Sequence, residues 1–190
     1  RLAERYAPGF GPDIPLCGWS MSKSVLSALV GVAVGEGRLR LEDRRLLSEW
    51  TGPGDPRAGI SLEDLLRMRS GLAFREVYAD PLSDVTQMLF APPDAGGHAA
   101  ARPLRHPPGS YWKYSSGTTN VVSRILRRAL ERKGVEYHGF PRRALFGPVG
   151  MRSAMFETDA RGTFVGSSFL YATARDWARI GQLFLQDGIW

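Results

Sequence analysis

Residues 25–34 read VLSALVGVAV, and this run constrains the fold more than any other stretch. Val25, Leu26, Ala28, Leu29, Val30, Val32, Ala33 and Val34 leave almost no polar face at helical spacing. A helix that is apolar nearly all round belongs in the core. The run falls short of the eighteen or so residues needed to cross a bilayer. The spacing predicts a helix from about Ser20 to Glu36, closed by Gly37. The rest of the chain must pack around it, and 190 residues are ample for one core.

Other elements follow from local signals. RLAERYA, with Leu2 and Tyr6 on one face, reads as the end of a strand. Ser61 and Asp64 form an N-cap pattern, and Gly71 marks the end of that short helix. Residues 91–110 hold so many prolines and glycines that they read as a long loop. Residues 117–133 form an amphipathic helix with Val121, Val122, Ile125, Leu126, Ala129 and Leu130 on its apolar stripe. Residues 173–186 form another, with Thr173 and Asp176 at its start, and 140–147 a further short turn. Helices dominate and strands are scarce. The chain starts at Arg1 and stops just after a helix, so it is read as a single incomplete domain, 1–190, truncated at both ends.

Net charge is +6, and 22 of the 25 cations are Arg, Lys23, Lys113 and Lys133 being the others. The arginines are dispersed, with no basic block interleaved with aromatics, which argues against a nucleic-acid partner. The lone Cys17 excludes an internal disulfide. His98, His106 and His138 lack metal-ligand spacing. No metal or other cofactor is implied, and no transmembrane segment is visible.

The chemistry begins at GWSMSKS, residues 18–24. A serine and a lysine at i and i+3 share one helix face. Ser20 at the helix start would sit at the positive end of the helix dipole, which favours negative charge on an attacking oxygen. Lys23 one turn on would relay a proton, since desolvation disfavours an ammonium. Such a serine can form an acyl-enzyme. Ser22 and Ser24 point elsewhere on the helix. GWSMS also approaches the nucleophile elbow GxSxG, but Ser22 replaces the last glycine and Pro15 to Trp19 make a poor strand. A second Ser-x-x-Lys at Ser110 and Lys113 lacks a buried helix behind it.

Tyr111 to Gly117 read YWKYSSG, after the rigid Pro107-Pro108-Gly109 turn and before the helix at 117–133. A tyrosine held at such a corner can point into a cleft, and lysines nearby would suit it to general-base work.

These residues resemble a known family. Ser20-Met-Ser-Lys23 and Tyr114-Ser-Ser116 are similar to the first two motifs of the class C β-lactamase-like serine hydrolases, relatives of the penicillin-binding proteins. GWSMSKS, LLRMRSGLAF, PPGSYWKYSSGTTN, LFGPVGM and TARDWARIGQLFLQDG occur in the family's order. The pattern most resembles the 6-aminohexanoate-dimer hydrolase-like branch. The resemblance implies an α+β, β-lactamase/transpeptidase-like fold, of which this chain keeps the helical part and lacks much of the antiparallel sheet. Apolar faces meant for that sheet would then be exposed. It also implies Ser20 as acylated nucleophile, with Lys23 and Tyr114 as its proton-transfer partners. Ser116 and Tyr78 are implied substrate-binding residues, Tyr78 on a mobile loop.

Ser116 stands where the family's second motif usually has Asn, which the 6-aminohexanoate branch tolerates. The third motif, a Lys- or His-containing triplet ending in Gly, is absent and would fall beyond Trp190. The expected activity is cleavage of a small-molecule ester or amide through an acyl-enzyme on Ser20. The rival readings are a non-catalytic, penicillin-recognising sensor domain and an inactive truncated chain.

Overall fold

The computed structural model describes residues 3–190. Helix α1 spans Met21–Gly35 and lies at the centre of the core, with Val25, Leu26, Leu29, Val30 and Ala33 buried. It is not enclosed all round. Ser24, Ser27, Gly31 and Gly35 are exposed along one strip. Ser27 and Gly31 line an apolar groove of about 610 Å³ with Leu145, Leu183, Phe184 and Trp190. These small residues account for the difference from the expected all-round burial: they break the apolar surface on one side only.

Helix α2, Leu62–Leu66, starts with the predicted capping box. Ser61 Oγ accepts the Asp64 N–H at 3.0 Å, and Asp64 Oδ2 accepts the Ser61 N–H at 3.1 Å. Helix α3, Asp84–Phe90, had no clear sequence signal. Helix α4, Ala95–Ala100, lies inside the segment expected to be loop. Its glycines serve packing rather than turning. A side chain at Gly96 would strike the Asn120 carbonyl and Arg124 on helix α5, Ser116–Glu131. Asp94 caps α4 through the Gly97 N–H at 2.6 Å, which offsets the two glycines' poor helix propensity. Helix α5 carries the predicted apolar stripe, and Trp50 donates its indole N–H to the Ala100 carbonyl at 2.9 Å to lock α4 in place.

A small antiparallel sheet closes the other side. Strands β1 (Leu16–Cys17), β2 (Met155–Phe156) and β3 (Leu170–Ala172) run in the order β1-β3-β2. Leu16 pairs with Ala172, and Met155 with Tyr171. Residues 3–7 form no strand, and Leu2, which that expectation also used, lies outside the described residues. The strand next to α1 is instead Leu16–Cys17, despite Pro15, because Pro15 precedes the paired residues and costs the ladder no donor. Helix α6 spans Ala174–Leu185, capped by Thr173 as expected, and a wider helical turn covers Arg142–Phe146. Among the described residues, no helix is long and apolar enough to cross a membrane.

Two substitutions test the packing. Gly18 lies directly against the Trp177 indole, so Gly18→Ala forces that ring aside. The expected cost is about 1–3 kcal/mol in urea unfolding, relieved by a second change of Trp177→Leu. Tyr137 is buried, and its hydroxyl accepts the Phe164 N–H at 3.1 Å. Burial pushes this phenol above its ordinary value. The folded protein therefore keeps a proton that the unfolded chain loses near pH 10, and stability falls as pH rises beyond that point. Tyr137→Phe should make the fall between pH 10 and 11 smaller by about 1 kcal/mol, read from urea midpoints at the two pH values.

Candidate active site

The site forms where strand β1 turns into helix α1. Gly18 donates its N–H to the Leu170 carbonyl at 2.8 Å, which fixes the turn against β3. Trp19 takes a left-handed conformation, φ 43°, and delivers Ser20 to the first turn of the helix. Ser20 is the N-cap residue in backbone position, yet its hydroxyl makes no capping bond. A serine at this position ordinarily spends its oxygen on the helix's free N–H groups.

Ser20 Oγ instead accepts two hydrogen bonds. Lys23 Nζ donates at 3.1 Å and Tyr114 OH at 2.7 Å. Lys23 also donates to the Ser167 carbonyl at 2.9 Å, and its ammonium lies 5.0 Å from the centre of the Tyr114 ring. Lys23 is half-buried, and Tyr114 is 37% exposed. Residues 94 positions apart in sequence thus converge on one oxygen.

A supporting layer holds this geometry. Asn120 on α5 donates through Nδ2 to Ser167 Oγ at 3.1 Å, and its Oδ1 accepts the Ser167 N–H at 3.1 Å. The Ser167 carbonyl is thereby aimed at Lys23. Ser22 is buried, and its Oγ accepts the Leu170 N–H at 3.2 Å, so the second serine of the heptad ties α1 to β3. Ser24 is exposed. Asn120 and Ser167 were not singled out from sequence. The one available signal was a polar Asn120 next to the apolar stripe of α5.

Ser116 and Tyr78 also come together. Tyr78 is 56% exposed, and its hydroxyl oxygen lies 3.3 Å from Ser116 Oγ. Both bond to Glu76: Tyr78 OH at 2.9 Å, Ser116 Oγ at 2.5 Å and the Ser116 N–H at 2.9 Å. Partial burial, reinforced by Glu76, pushes the Tyr78 phenol up to about 12. Glu76 was not anticipated, since a lone acid in a loop carries no pattern. The root of this loop is fastened by Asp84, which accepts the Arg75 N–H at 2.8 Å and pairs with Arg102 at 3.0 Å. Ser83 Oγ bridges the Arg75 carbonyl and the Val77 N–H.

The second Ser-x-x-Lys is not assembled. Ser110 Oγ donates to the Pro107 carbonyl at 2.7 Å, and Lys113 Nζ to the Phe74 carbonyl at 2.8 Å. Among the described residues, no cluster of His, Cys, Asp and Glu is arranged to hold a metal ion.

Comparison with known proteins gives this arrangement a context. The chain is 28% identical over 202 residues to the 6-aminohexanoate-dimer hydrolase of Paenarthrobacter ureafaciens, covering 99% of this chain and 50% of that protein. A candidate 6-aminohexanoate-dimer hydrolase from Bacillus anthracis superposes with a TM-score of 0.80 at 25% identity, over 99% of this chain and 52% of the other. The D-amino acid amidase of Ochrobactrum anthropi SV3 shares the fold, with a TM-score of 0.68 at 18% identity, over 95% of this chain and 59% of the amidase. The chain therefore spans about half the length of the relatives it matches. The fold is β-lactamase/transpeptidase-like. The Beta-lactamase family model matches residues 10–189, and the chain belongs to that family.

Proposed function

We propose that this chain carries the acylating centre of a serine hydrolase that cleaves a small-molecule ester or amide. One observation supports this above others: the Ser20 hydroxyl is withheld from helix capping and receives both Lys23 and Tyr114. A purely structural N-cap serine would make the opposite choice.

In this reading Ser20 Oγ attacks the substrate carbonyl carbon, and an Oγ–C bond forms. Lys23 and Tyr114 act as one coupled acid–base unit. They take the serine proton during attack and return one to the leaving alcohol or amine as its bond to the carbonyl breaks. Water then cleaves the acyl-enzyme by the reverse use of the same groups. The Ser20 backbone N–H, at the start of α1, is the proposed donor to the oxyanion, and residues outside this chain would complete the hole. The domain is proposed to be one incomplete unit for the same reason. The names of the relatives, a 6-aminohexanoate-dimer hydrolase and an amidase, agree with amide chemistry.

Ser20→Ala in the full-length protein should abolish the acylation burst with a p-nitrophenyl ester. Lys23→Ala and Tyr114→Phe should each slow it by about 10²- to 10⁴-fold. Wild-type turnover by the Ser20→Ala protein would overturn the proposal. An adduct that persists for hours would replace it with a sensor function. Asn120→Ala strips the Ser167 N–H of its partner and leaves the Ser167 hydroxyl with Ser168 alone. It should cost about 1–3 kcal/mol in denaturant unfolding and slow acylation more than it weakens substrate binding.

A further inference from the structure

Glu76 is a half-buried carboxylate that the acylation chemistry leaves without a task. Its Oε2 accepts the Ser116 N–H, and its Oε1 accepts from both Ser116 Oγ and Tyr78 OH. Each hydroxyl has a single proton to give. A carboxylate is a stronger acceptor than a hydroxyl oxygen, so both protons go to Glu76 rather than to one another. The Ser116 and Tyr78 oxygens are then left with lone pairs only. The raised Tyr78 phenol keeps its proton throughout the ordinary pH range.

The charge is also incompletely answered. Among the described residues, no cationic side chain pairs with Glu76. The adjacent Arg75 is taken by Asp80 at 2.7 Å, and Lys113 spends its ammonium on the Phe74 carbonyl. The start of α5 supplies roughly half a positive charge, which offsets part of the carboxylate but not all. This rim borders the acylating centre. Ser116 follows Tyr114 by two residues, and the Tyr78 hydroxyl oxygen lies 3.3 Å from Ser116 Oγ.

We propose that Glu76 is a specificity-determining residue. By taking both hydroxyl protons it makes the Ser116–Tyr78 rim an acceptor-only, negatively biased surface, which selects substrates bearing a protonated amine and rejects those bearing a carboxylate. The inference rests on the reading of Ser20 as the place where substrate is bound, but its test does not need turnover.

The test uses the full-length Ser20→Ala protein and two ligands of equal length, 5-aminopentanamide and 4-carbamoylbutanoate, titrated by NMR. The ammonium ligand should bind at least about tenfold more tightly, a difference of about 1.4 kcal/mol. Adding salt should narrow the gap. Glu76→Gln keeps one acceptor oxygen, which the Ser116 N–H claims, and turns a donating amide to the Ser116 and Tyr78 hydroxyls, so both hydroxyl protons must turn outward. The ratio should then collapse to within about threefold. A merely structural role would weaken both ligands alike and keep the ratio. Tyr78→Phe removes one acceptor and one hydrogen bond to Glu76 while keeping the carboxylate and its Ser116 bonds, and should weaken the ammonium ligand severalfold even where the Glu76 variant fails to fold. Equal binding, tighter carboxylate binding, no binding of either ligand, or an unchanged ratio in Glu76→Gln would each overturn the inference. The acylation burst of the wild-type protein decides the fate of the serine hydrolase reading separately.

Discussion

The Leu170 carbonyl accepts from Gly18, the Leu170 N–H donates to Ser22, and the Ser167 carbonyl accepts from Lys23. These three bonds join the first turn of α1 to a segment more than 140 residues away. The rest of the site depends on that junction. Without it Lys23 keeps Ser20 as its one hydrogen-bond partner and the Tyr114 ring beside it, and Ser20 has no fixed direction toward Tyr114. The junction is itself braced from α5 by Asn120, so the core helix, the sheet and the amphipathic helix all meet behind one hydroxyl. A buried network with every member satisfied specifies one arrangement more sharply than apolar packing does.

Much of the helical framework was legible because its signals are local. The capping box at Ser61 and Asp64, the stripe of α5 and the Thr173 cap each lie within a few residues of one another. Helix α4 was not legible. Gly96 and Gly97 argue for a loop until the closeness of α5 is known, and that closeness is a tertiary fact. Strand β1 was missed for a related reason, since two residues carry no period and their pairing partner is β3.

At the candidate site, the residues with a spacing were legible in the sequence and those without one were not. Ser20 and Lys23 share a helix face, and Tyr114 stands at a recognisable corner. Glu76, Asn120 and Ser167 act through hydrogen bonds that reach mainly to groups distant in sequence. The two Ser-x-x-Lys matches make the same point from the other side. Spacing alone does not separate them, whereas the partners of Lys23 and Lys113 do.

The loop between Arg75 and Asp84 is stapled at its root and exposed at its tip, where Val77, Tyr78 and Leu82 face solvent. The consequence is for evolvability. If Tyr78 contacts substrate as proposed, changes at the tip alter that contact while Asp84 and Ser83 hold the root of the loop in place. On the proposed reading, a lineage carrying this scaffold is free to explore new substrates one loop residue at a time, with the Ser20, Lys23 and Tyr114 arrangement left intact.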